Sequence, residues 1–375
     1  MSVALLKFLN YNSKKSIQKD TFMKKHKYLP KRKRFPRVLL AVGLVFLLLV
    51  GTVLGFVWSK LRLISYDDGT LKETQPAEQV GHPQQTEVPE LVVDTSGLPE
   101  MQTLPAIPER EILKKDDVVN ILLLGTDSYD GKLTKYARSD CMILVSINKT
   151  DNTVKLVSLE RGMGVYMETG EMAGQWDLLT HAFRWGGASL VCDCVEEHLR
   201  VEVDHYVRVT FSTVTTVVEA IGGIYVDLDE AEAAHMSLYY AEEGKYELAK
   251  IEAGRNYLDA EGALHFARLR SIDSDWQRVG RQRRVILAAV EALKGASLKQ
   301  LNDLLDTTLP LIQTDMTMLE ITQMMLYAPS FLTSEFDQMT IPKQGTYGIK
   351  SGITGFAVDY EENSRILQEF LYGEE

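Results

Sequence analysis

Residues 117–128 read DVVNILLLGTDS, and they define the class of fold. A nearly continuous apolar run over residues 118–124, closed by a glycine, is typical of a strand buried on both faces. Residues 142–147 and 154–159 predict two further strands, and the five polar residues 148–152 between them suit a hairpin loop. The sequence therefore predicts a sheet that is at least partly antiparallel.

Helical patterns and one more strand follow along the rest of the chain. The strand is predicted at residues 224–228, directly after Gly222-Gly223. The helices are predicted at residues 188–199, 211–220, 260–267, 279–293, 298–305 and 317–327. Helices that alternate with strands imply a layered α/β domain. Three cysteines in 375 residues exclude a disulfide scaffold.

An uncharged apolar segment at residues 38–58 predicts a membrane-spanning helix. Its 21 residues span roughly 30 Å, the thickness of the bilayer hydrocarbon core. Residues 1–37 hold 12 Lys and Arg against one acid, so the positive-inside bias places this basic segment in the cytoplasm. A cleaved signal peptide would have a shorter apolar region and a small-x-small site, which residues 58–61, WSKL, do not provide. We expect a single-pass protein of the cell membrane with its C-terminal domain outside.

The formal net charge of −11 hides a strong asymmetry, because residues 1–37 carry +11 and the remainder about −22. Residues 59–116 contain six of the 11 prolines among Glu, Gln, Thr and Val, which predicts an extracellular linker. Residues 117–375 then form the globular domain. The basic N-terminus could also bind nucleic acid, but beside a membrane span lipid headgroups are the commoner partner.

Two carboxylates lie where predicted strands end or begin. Asp127 follows the first strand, and Asp140 directly precedes the second, after Arg138 and Ser139. If those strands are neighbours, both carboxylates reach one edge of the sheet and could share a hard cation such as Mg²⁺. The alternative is ordinary turn chemistry, which is common for an Asp in a Gly-Thr-Asp-Ser turn.

Arginines are concentrated in the segment ARLRSIDSDWQRVGRQRR, residues 267–284. Arg278, Arg281 and Gln282 have the spacing of one helical face near the start of a helix, where anions bind well. Planar guanidinium groups suit phosphate oxygens, and several together can hold a pyrophosphate. A solvated basic face paired with surface acids is the alternative, and export of the domain argues against nucleic acid as the partner.

Seven blocks along the chain, in order, resemble the LytR-CpsA-Psr family. They cover roughly residues 117–293 and read NILLLGTDS, RSDCMILVSIN, VKLVSLERGMGVYM, LTHAFRWGG, VVEAIGGIYVDL, LDAEGALHFARLR and DSDWQRVGRQR. The resemblance implies a three-layer α/β/α fold with a central mixed sheet, preceded by one transmembrane helix. It also implies a Gram-positive cell-envelope enzyme that transfers a glycopolymer, such as teichoic acid or capsular polysaccharide, from an undecaprenyl-pyrophosphate carrier to peptidoglycan.

The resemblance assigns roles to the residues that match the family blocks. It implies that Asp127 and Asp140 hold Mg²⁺ (or Mn²⁺), in agreement with their placement at the strand ends. It implies pyrophosphate contacts for Arg138, Arg161, Arg268, Arg270, Arg278 and Gln282. The residues expected to act in catalysis are Asp127, Asp140, Arg161, Arg268 and Arg270.

One position departs from the family pattern. The family has an Asp directly after the arginine that matches Arg161, whereas this chain has Gly162 there and Glu160 before the arginine. A binding or regulatory envelope protein that holds polyprenyl phosphate without turnover therefore stays open, as does a hydrolase of lipid-pyrophosphate-linked sugar. The apolar faces of residues 188–199 and 211–220 are candidate walls for the lipid.

Overall fold

The computed structural model describes residues 52, 55–67, 93–103, 105–127, 137–334 and 336–373. By internal contacts the chain divides into two units, Met1–Phe56 and Val57–Glu375, and every element described below belongs to the second. The predicted membrane helix at residues 38–58 lies almost wholly outside the described residues. In the part of the chain that the structure does describe, no helix has the length and apolar character needed to cross a bilayer.

The described part of the second unit is an α/β fold of strands and α-helices. The strands are β1 Ser65–Tyr66, β2 Val118–Thr126, β3 Ser139–Asn148, β4 Thr153–Leu159, β5 Gly164–Met167, β6 Gln175–Leu178, β7 His205–Thr210, β8 Ile224–Leu228, β9 Gly254–Leu258, β10 Gln313–Thr314, β11 Phe336–Ile341, β12 Tyr347–Gly348 and β13 Ala357–Val358. The helices are α1 Leu179–Leu199, α2 Phe211–Ala220, α3 Glu230–Glu242, α4 Ala260–Arg268, α5 Asp275–Lys294, α6 Leu298–Thr308, α7 Met318–Thr333 and α8 Tyr360–Tyr372.

Seven of these strands form the central mixed sheet, in the order β1-β10-β7-β2-β3-β4-β11. β2 pairs antiparallel with β3 and parallel with β7, while β4 pairs antiparallel with β3 and parallel with β11. The predicted hairpin at residues 148–152 is confirmed, since it joins β3 to β4. The predicted α/β class with a mixed central sheet is also confirmed.

Alternate side chains of the central strands pack on opposite faces of the sheet. On one face, Leu122, Leu144 and Val157 are fully buried in a cluster that takes in the apolar residues of α1 and α8. On the other face, Ile143 and Leu156 lie in a cluster against α5 and α7. Both faces are thus covered by helices, which explains the nearly unbroken apolar run of β2.

A second apolar cluster lies beside the sheet and orients the arginine-rich segment. It is formed by the antiparallel pair β8 and β9 with side chains of α2, α3, α4 and α5, and its centre includes Ile224, Met236 and Phe266. Because α4 is fixed in this cluster and α5 packs against the sheet, the short connection between them is held at the end of the sheet.

Described parts of the predicted linker at residues 59–116 contact the folded unit. Strand β1 extends the central sheet by pairing with β10. Glu100 forms a bridge with Ile349, and Leu113 forms one with Val201.

Candidate active site

The two predicted metal carboxylates lie at one edge of the sheet. β2 ends at Thr126, which pairs with Ser139 at the start of β3. Asp127 therefore follows β2 directly, and Asp140, which was predicted to precede its strand, is the second residue of β3 at the same end of the pair. Asp140 is 8% exposed. The two strands are therefore neighbours, as the predicted metal site requires.

Arg161 is the centre of the site. It follows the end of β4, and its side chain is 4% exposed. Its Nη1 donates to Asp140 Oδ1 at 2.9 Å, while its Nε and Nη2 donate to Asp275 Oδ2 at 3.0 and 2.7 Å. The guanidinium is therefore held in one orientation between two carboxylates, which is an arrangement that a lysine could not reproduce.

Two further arginines converge on the same carboxylates. Arg278 donates from Nε to Asp275 Oδ1 at 3.1 Å and from Nη1 to the carbonyl oxygen of Asp140 at 2.9 Å. Arg270, which is about half exposed, places Nε 3.5 Å from Asp275 Oδ1 and Nη2 3.9 Å from Asp140 Oδ2. Three guanidinium groups thus meet two carboxylates, which leaves a net positive charge at the site when the carboxylates are ionised.

The arginines keep both carboxylates ionised despite their burial. Burial opposes ionisation of Asp140, but the charges of Arg161 and Arg278 hold its pKa below the usual range. The pKa of Asp275 is likewise lowered, because the charges of Arg278 and Arg161 outweigh its burial. Burial and the neighbouring charges of Arg278 and Arg161 lower the pKa of Arg270. The site is therefore a preformed cluster of opposite charges that an incoming anion can rearrange.

Asp127 and Arg138 form a pair at this edge. The backbone N–H of Arg138 donates to Asp127 Oδ1 at 2.6 Å, and the Arg138 guanidinium contacts Oδ2 at 3.2 to 3.3 Å. The residues between them, 128–136, lie outside the described part of the chain.

The remaining predicted pyrophosphate ligands lie nearby. Arg268 ends α4, and its guanidinium carbon lies 4.7 Å from the centre of the Phe211 ring. Arg268 and Arg270 line one cavity of about 440 Å³. Gln282 lies one helical turn after Arg278 on α5 and is 7% exposed.

Three arginines of the same segment have structural contacts instead. Arg281 donates to Glu232 Oε1 at 2.9 Å and to the carbonyl oxygen of Leu269 at 2.7 Å, and Arg284 also pairs with Glu232. Arg283 donates to Ser158 Oγ at 2.8 Å and to nearby backbone. The expectation that Arg281 shares an anion-binding face with Arg278 is wrong, because Glu232, Asp273 and the Leu269 carbonyl hold its side chain.

Asp275 is a site residue that the sequence interpretation missed. It is the first residue of α5, where a negative charge is favoured by the helix dipole, and it contacts three arginines. The sequence feature that could have identified it is its position near the start of a predicted helix, one residue after Ser274 and three before Arg278. Its contact with Arg161, 114 residues away in the chain, could not be derived from local pattern.

Gly162 is enclosed by apolar side chains. A Cβ added at this position would lie 3.0 Å from Phe356 Cε2 and 3.0 Å from Val93 Cγ1. Phe356 belongs to an aromatic group in which Trp276 lies 5.0 Å from Tyr347 and 6.1 Å from Phe356, measured between ring centres. An aspartate, which the family resemblance implies at this position, would displace this packing.

Comparison with known proteins identifies the family. The model of the LytR_cpsA_psr family matches residues 70–370, and this chain belongs to the LytR-CpsA-Psr family. Enterococcus faecalis TagU, named polyisoprenyl-teichoic acid–peptidoglycan teichoic acid transferase, is 31% identical over 262 residues, covering 68% of this chain and 80% of that protein. Bacillus subtilis TagT, which carries the same enzyme name, is 32% identical over 194 residues, covering 51% of this chain and 58% of that one.

A solved structure shares the fold. The structure described as TagT bound to LIIa-WTA superposes with a TM-score of 0.53 at 25% identity, covering 72% of this chain and 97% of that chain. The seven-stranded mixed sheet is thus like that of TagT. The distant relatives of this chain are polyisoprenyl-teichoic acid–peptidoglycan transferases.

Proposed function

We propose that this chain is a membrane-anchored phosphotransferase. It moves a glycopolymer, of the teichoic acid or capsular polysaccharide type, from an undecaprenyl-pyrophosphate carrier to peptidoglycan. The observation that carries the proposal is the Arg161 guanidinium between Asp140 and Asp275, joined by Arg270 and Arg278. The enzyme name of its relatives supports the same reaction.

The proposed reaction takes place at the outer surface of the cell membrane. A carrier lipid stays in the bilayer, so the apolar segment at residues 38–58 would keep the enzyme beside its substrate. The acceptor, peptidoglycan, lies on the same side as the folded unit in this topology. Nucleic acid has no place in this reaction.

The donor set at the sheet edge suits a hard cation, Mg²⁺ (or Mn²⁺). Among the described residues, no group of three or more His, Cys, Asp or Glu side chains could hold a metal ion. Mg²⁺ commonly uses one or two carboxylates and takes its other ligands from water and phosphate oxygens, so Asp127 and Asp140 would hold it. When bound, the cation would neutralise charge on the phosphate oxygens.

The arginines perform the rest of the proposed chemistry. A pyrophosphate offers oxygens that compete with Asp140 and Asp275 for the guanidinium N–H groups of Arg161, Arg270 and Arg278. A hydroxyl of a peptidoglycan sugar attacks the phosphorus that carries the glycopolymer, and its proton passes to the leaving lipid phosphate. A new P–O bond forms, and the bond from that phosphorus to the lipid phosphate breaks. The arginines stabilise the charge that develops on the transferred and leaving phosphates.

The two candidate lipid-facing helices differ in burial. Val191, Val195 and Leu199 of α1 are buried in the core on the sheet, so this segment acts as a core helix. In α2 only Thr213 and Val218 are buried, and the other side chains remain partly accessible or exposed. We therefore assign the lipid contact to α2, which begins at Phe211 beside Arg268.

Reconstitution of the full chain tests the proposal. The protein in nanodiscs is incubated with a lipid-linked glycopolymer, Mg²⁺ and peptidoglycan fragments, and the products are identified by mass spectrometry. A phosphodiester-linked glycopolymer–peptidoglycan product is expected. Released phosphorylated sugar would instead indicate a hydrolase, and a bound but unchanged donor would indicate a carrier protein.

The matched control for this assay is an arginine outside the site. Arg365 is about half exposed and pairs with Glu362 and Glu369 on α8. Arg365→Ala should keep wild-type turnover, whereas Arg278→Ala should lose at least about tenfold, which corresponds to about 1.4 kcal/mol of transition-state stabilisation. Equal turnover in the two variants would contradict the assigned site.

A further inference from the structure

Glu160 is a buried acid next to the candidate active site. Its relative exposure is 0%, and among the described residues neither carboxylate oxygen has a hydrogen-bond partner. The backbone around it is fixed, since its N–H donates to the Ile341 carbonyl at 2.9 Å and its own carbonyl accepts from Met163 at 3.2 Å. A buried carboxylate without hydrogen bonds strongly favours its neutral, protonated form.

The charged groups that face Glu160 belong to the active site. Burial, followed by the negative charge of Asp275, raises the pKa of Glu160 to about 7, and the positive charges of Arg278 and Arg161 oppose this rise. From β12, Tyr347 also faces it, because burial and the Glu160 charge both raise the pKa of Tyr347. Both charge states of Glu160 are thus accessible near neutral pH.

The charge of Glu160 alters the balance of the arginine cluster. With Glu160 neutral, Arg161, Arg270 and Arg278 face the two carboxylates of Asp140 and Asp275. With Glu160 ionised, a third negative charge lies within the same buried region, where charges are weakly screened. An anion at the arginines therefore favours the proton on Glu160, and the proton favours the anion by the same free energy.

We propose that Glu160 is a positioning residue that controls pyrophosphate binding through its proton. The neutral acid leaves Arg161 and Arg278 available to a pyrophosphate diester, and the ionised form weakens that binding. This inference rests on the proposed function, because it assumes that the arginines bind the pyrophosphate of the carrier lipid. The site thus takes up a proton when the lipid-linked donor binds, and it releases the product phosphate more readily as the pH rises.

The packing around Gly162 leaves little room for an acid directly after Arg161. Phe356 and Val93 occupy the space that a side chain at position 162 would need. The side chain of Glu160 instead lies in the protein interior, near Asp275 and Arg278.

Binding of a pyrophosphate diester at several pH values tests this inference. The probe is farnesyl-pyrophosphoryl-N-acetylglucosamine, whose two charges do not titrate between pH 6 and pH 8, and the full chain in nanodiscs is titrated calorimetrically with Mg²⁺ present. If Glu160 is half protonated near pH 7 and fully protonated in the complex, the affinity falls about tenfold from pH 6 to pH 8. At pH 7, wild-type protein takes up about half a proton per ligand, measured in buffers of different ionisation enthalpy.

Three variants complete the test. Glu160→Gln is neutral at every pH and should bind at pH 8 as tightly as the wild type does at pH 6, and Glu160→Ala should also lose the pH dependence. Glu247→Gln is the control, because the Glu247 side chain is 88% exposed, and its affinity should depend on pH as that of the wild type does. A Glu160→Gln profile that follows the wild type, or no proton uptake by wild-type protein, would overturn the inference.

The outcomes separate this inference from the proposed function. Wild-type protein that forms the transfer product but binds the probe equally at pH 6 and pH 8 would refute the role of Glu160 alone. Wild-type protein that binds no probe at any pH would refute both.

Discussion

Replacing Arg161 by lysine tests the geometry of the site while keeping its charge. In the structure Arg161 makes three hydrogen bonds of 2.7 to 3.0 Å to Asp140 and Asp275. A lysine ammonium can reach one carboxylate well, so the variant loses two charge-assisted hydrogen bonds of about 1.5 kcal/mol or more each. We expect the free energy of unfolding to fall by about 3 kcal/mol.

The same substitution should affect turnover more strongly than affinity. An arginine that stabilises developing phosphate charge contributes about as much as one oxyanion donor, so Arg161→Lys should lower kcat about 100-fold or more. The assay is formation of the glycopolymer–peptidoglycan product, with urea unfolding followed by circular dichroism for stability. Arg365→Lys is the control, and it should change neither quantity. Turnover of Arg161→Lys within threefold of the wild type would contradict the assigned role of Arg161.

Three further variants test separate parts of the structure. Asp275→Asn removes the charge that holds Arg161 and Arg278, and we expect at least about a tenfold loss of product formation; an unchanged rate would remove Asp275 from the site. Gly162→Asp places a side chain against Phe356, so the free energy of unfolding, measured by urea, should fall by about 1–3 kcal/mol. An unchanged free energy of unfolding would show that the surrounding side chains can move to accept the aspartate. Glu232→Gln should destabilise the fold by about 3 kcal/mol at pH 7, because it breaks a buried ion pair.

The pH dependence of the Glu232 effect follows from its lowered pKa. Burial opposes ionisation, but hydrogen bonds from Arg284, the Asp229 backbone and Arg281 lower the pKa of Glu232 below its usual value. Its stabilisation is therefore complete above the unfolded-state pKa of about 4.3 and is lost as the pH falls through the lower folded-state pKa. The stability difference between wild type and Glu232→Gln should shrink below about pH 4. A difference that stays constant down to pH 2 would contradict this explanation.

The sequence predicted the elements whose patterns are self-contained. The apolar run predicted β2, whose side chains are buried on one face of the sheet and partly buried on the other. The predicted helix at residues 211–220 matches α2, because two glycines follow and end it. The strand at residues 224–228 matches β8 for a similar reason, since the same glycines precede it.

Other elements depend on partners that a local pattern does not contain. The short strand β7, His205–Thr210, was not predicted, although it lies beside β2 in the sheet. Strand β11 comes from far along the chain and completes the other edge beside β4. Helix α3, Glu230–Glu242, was missed because its small buried stripe is interrupted by acidic and aromatic residues. Their placement depends on pairing and packing between distant segments.

In the candidate site, too, local patterns identified some residues, whereas others depend on contacts between distant segments. Arg270 and Arg278 were recognised from the arginine-rich segment, but the pattern could not separate them from Arg281, whose side chain is fixed by Glu232. Asp275 was hidden among the arginines, since its role depends on contact with Arg161. The family resemblance supplied Arg161, which no local spacing distinguished.

The assigned site is best tested by a structure of the full chain bound to farnesyl-pyrophosphoryl-N-acetylglucosamine in the presence of Mg²⁺. We expect the pyrophosphate to lie against the guanidinium groups of Arg161, Arg270 and Arg278, with Mg²⁺ held by Asp127 and Asp140. A pyrophosphate bound elsewhere, with Arg161 still held between Asp140 and Asp275, would contradict it.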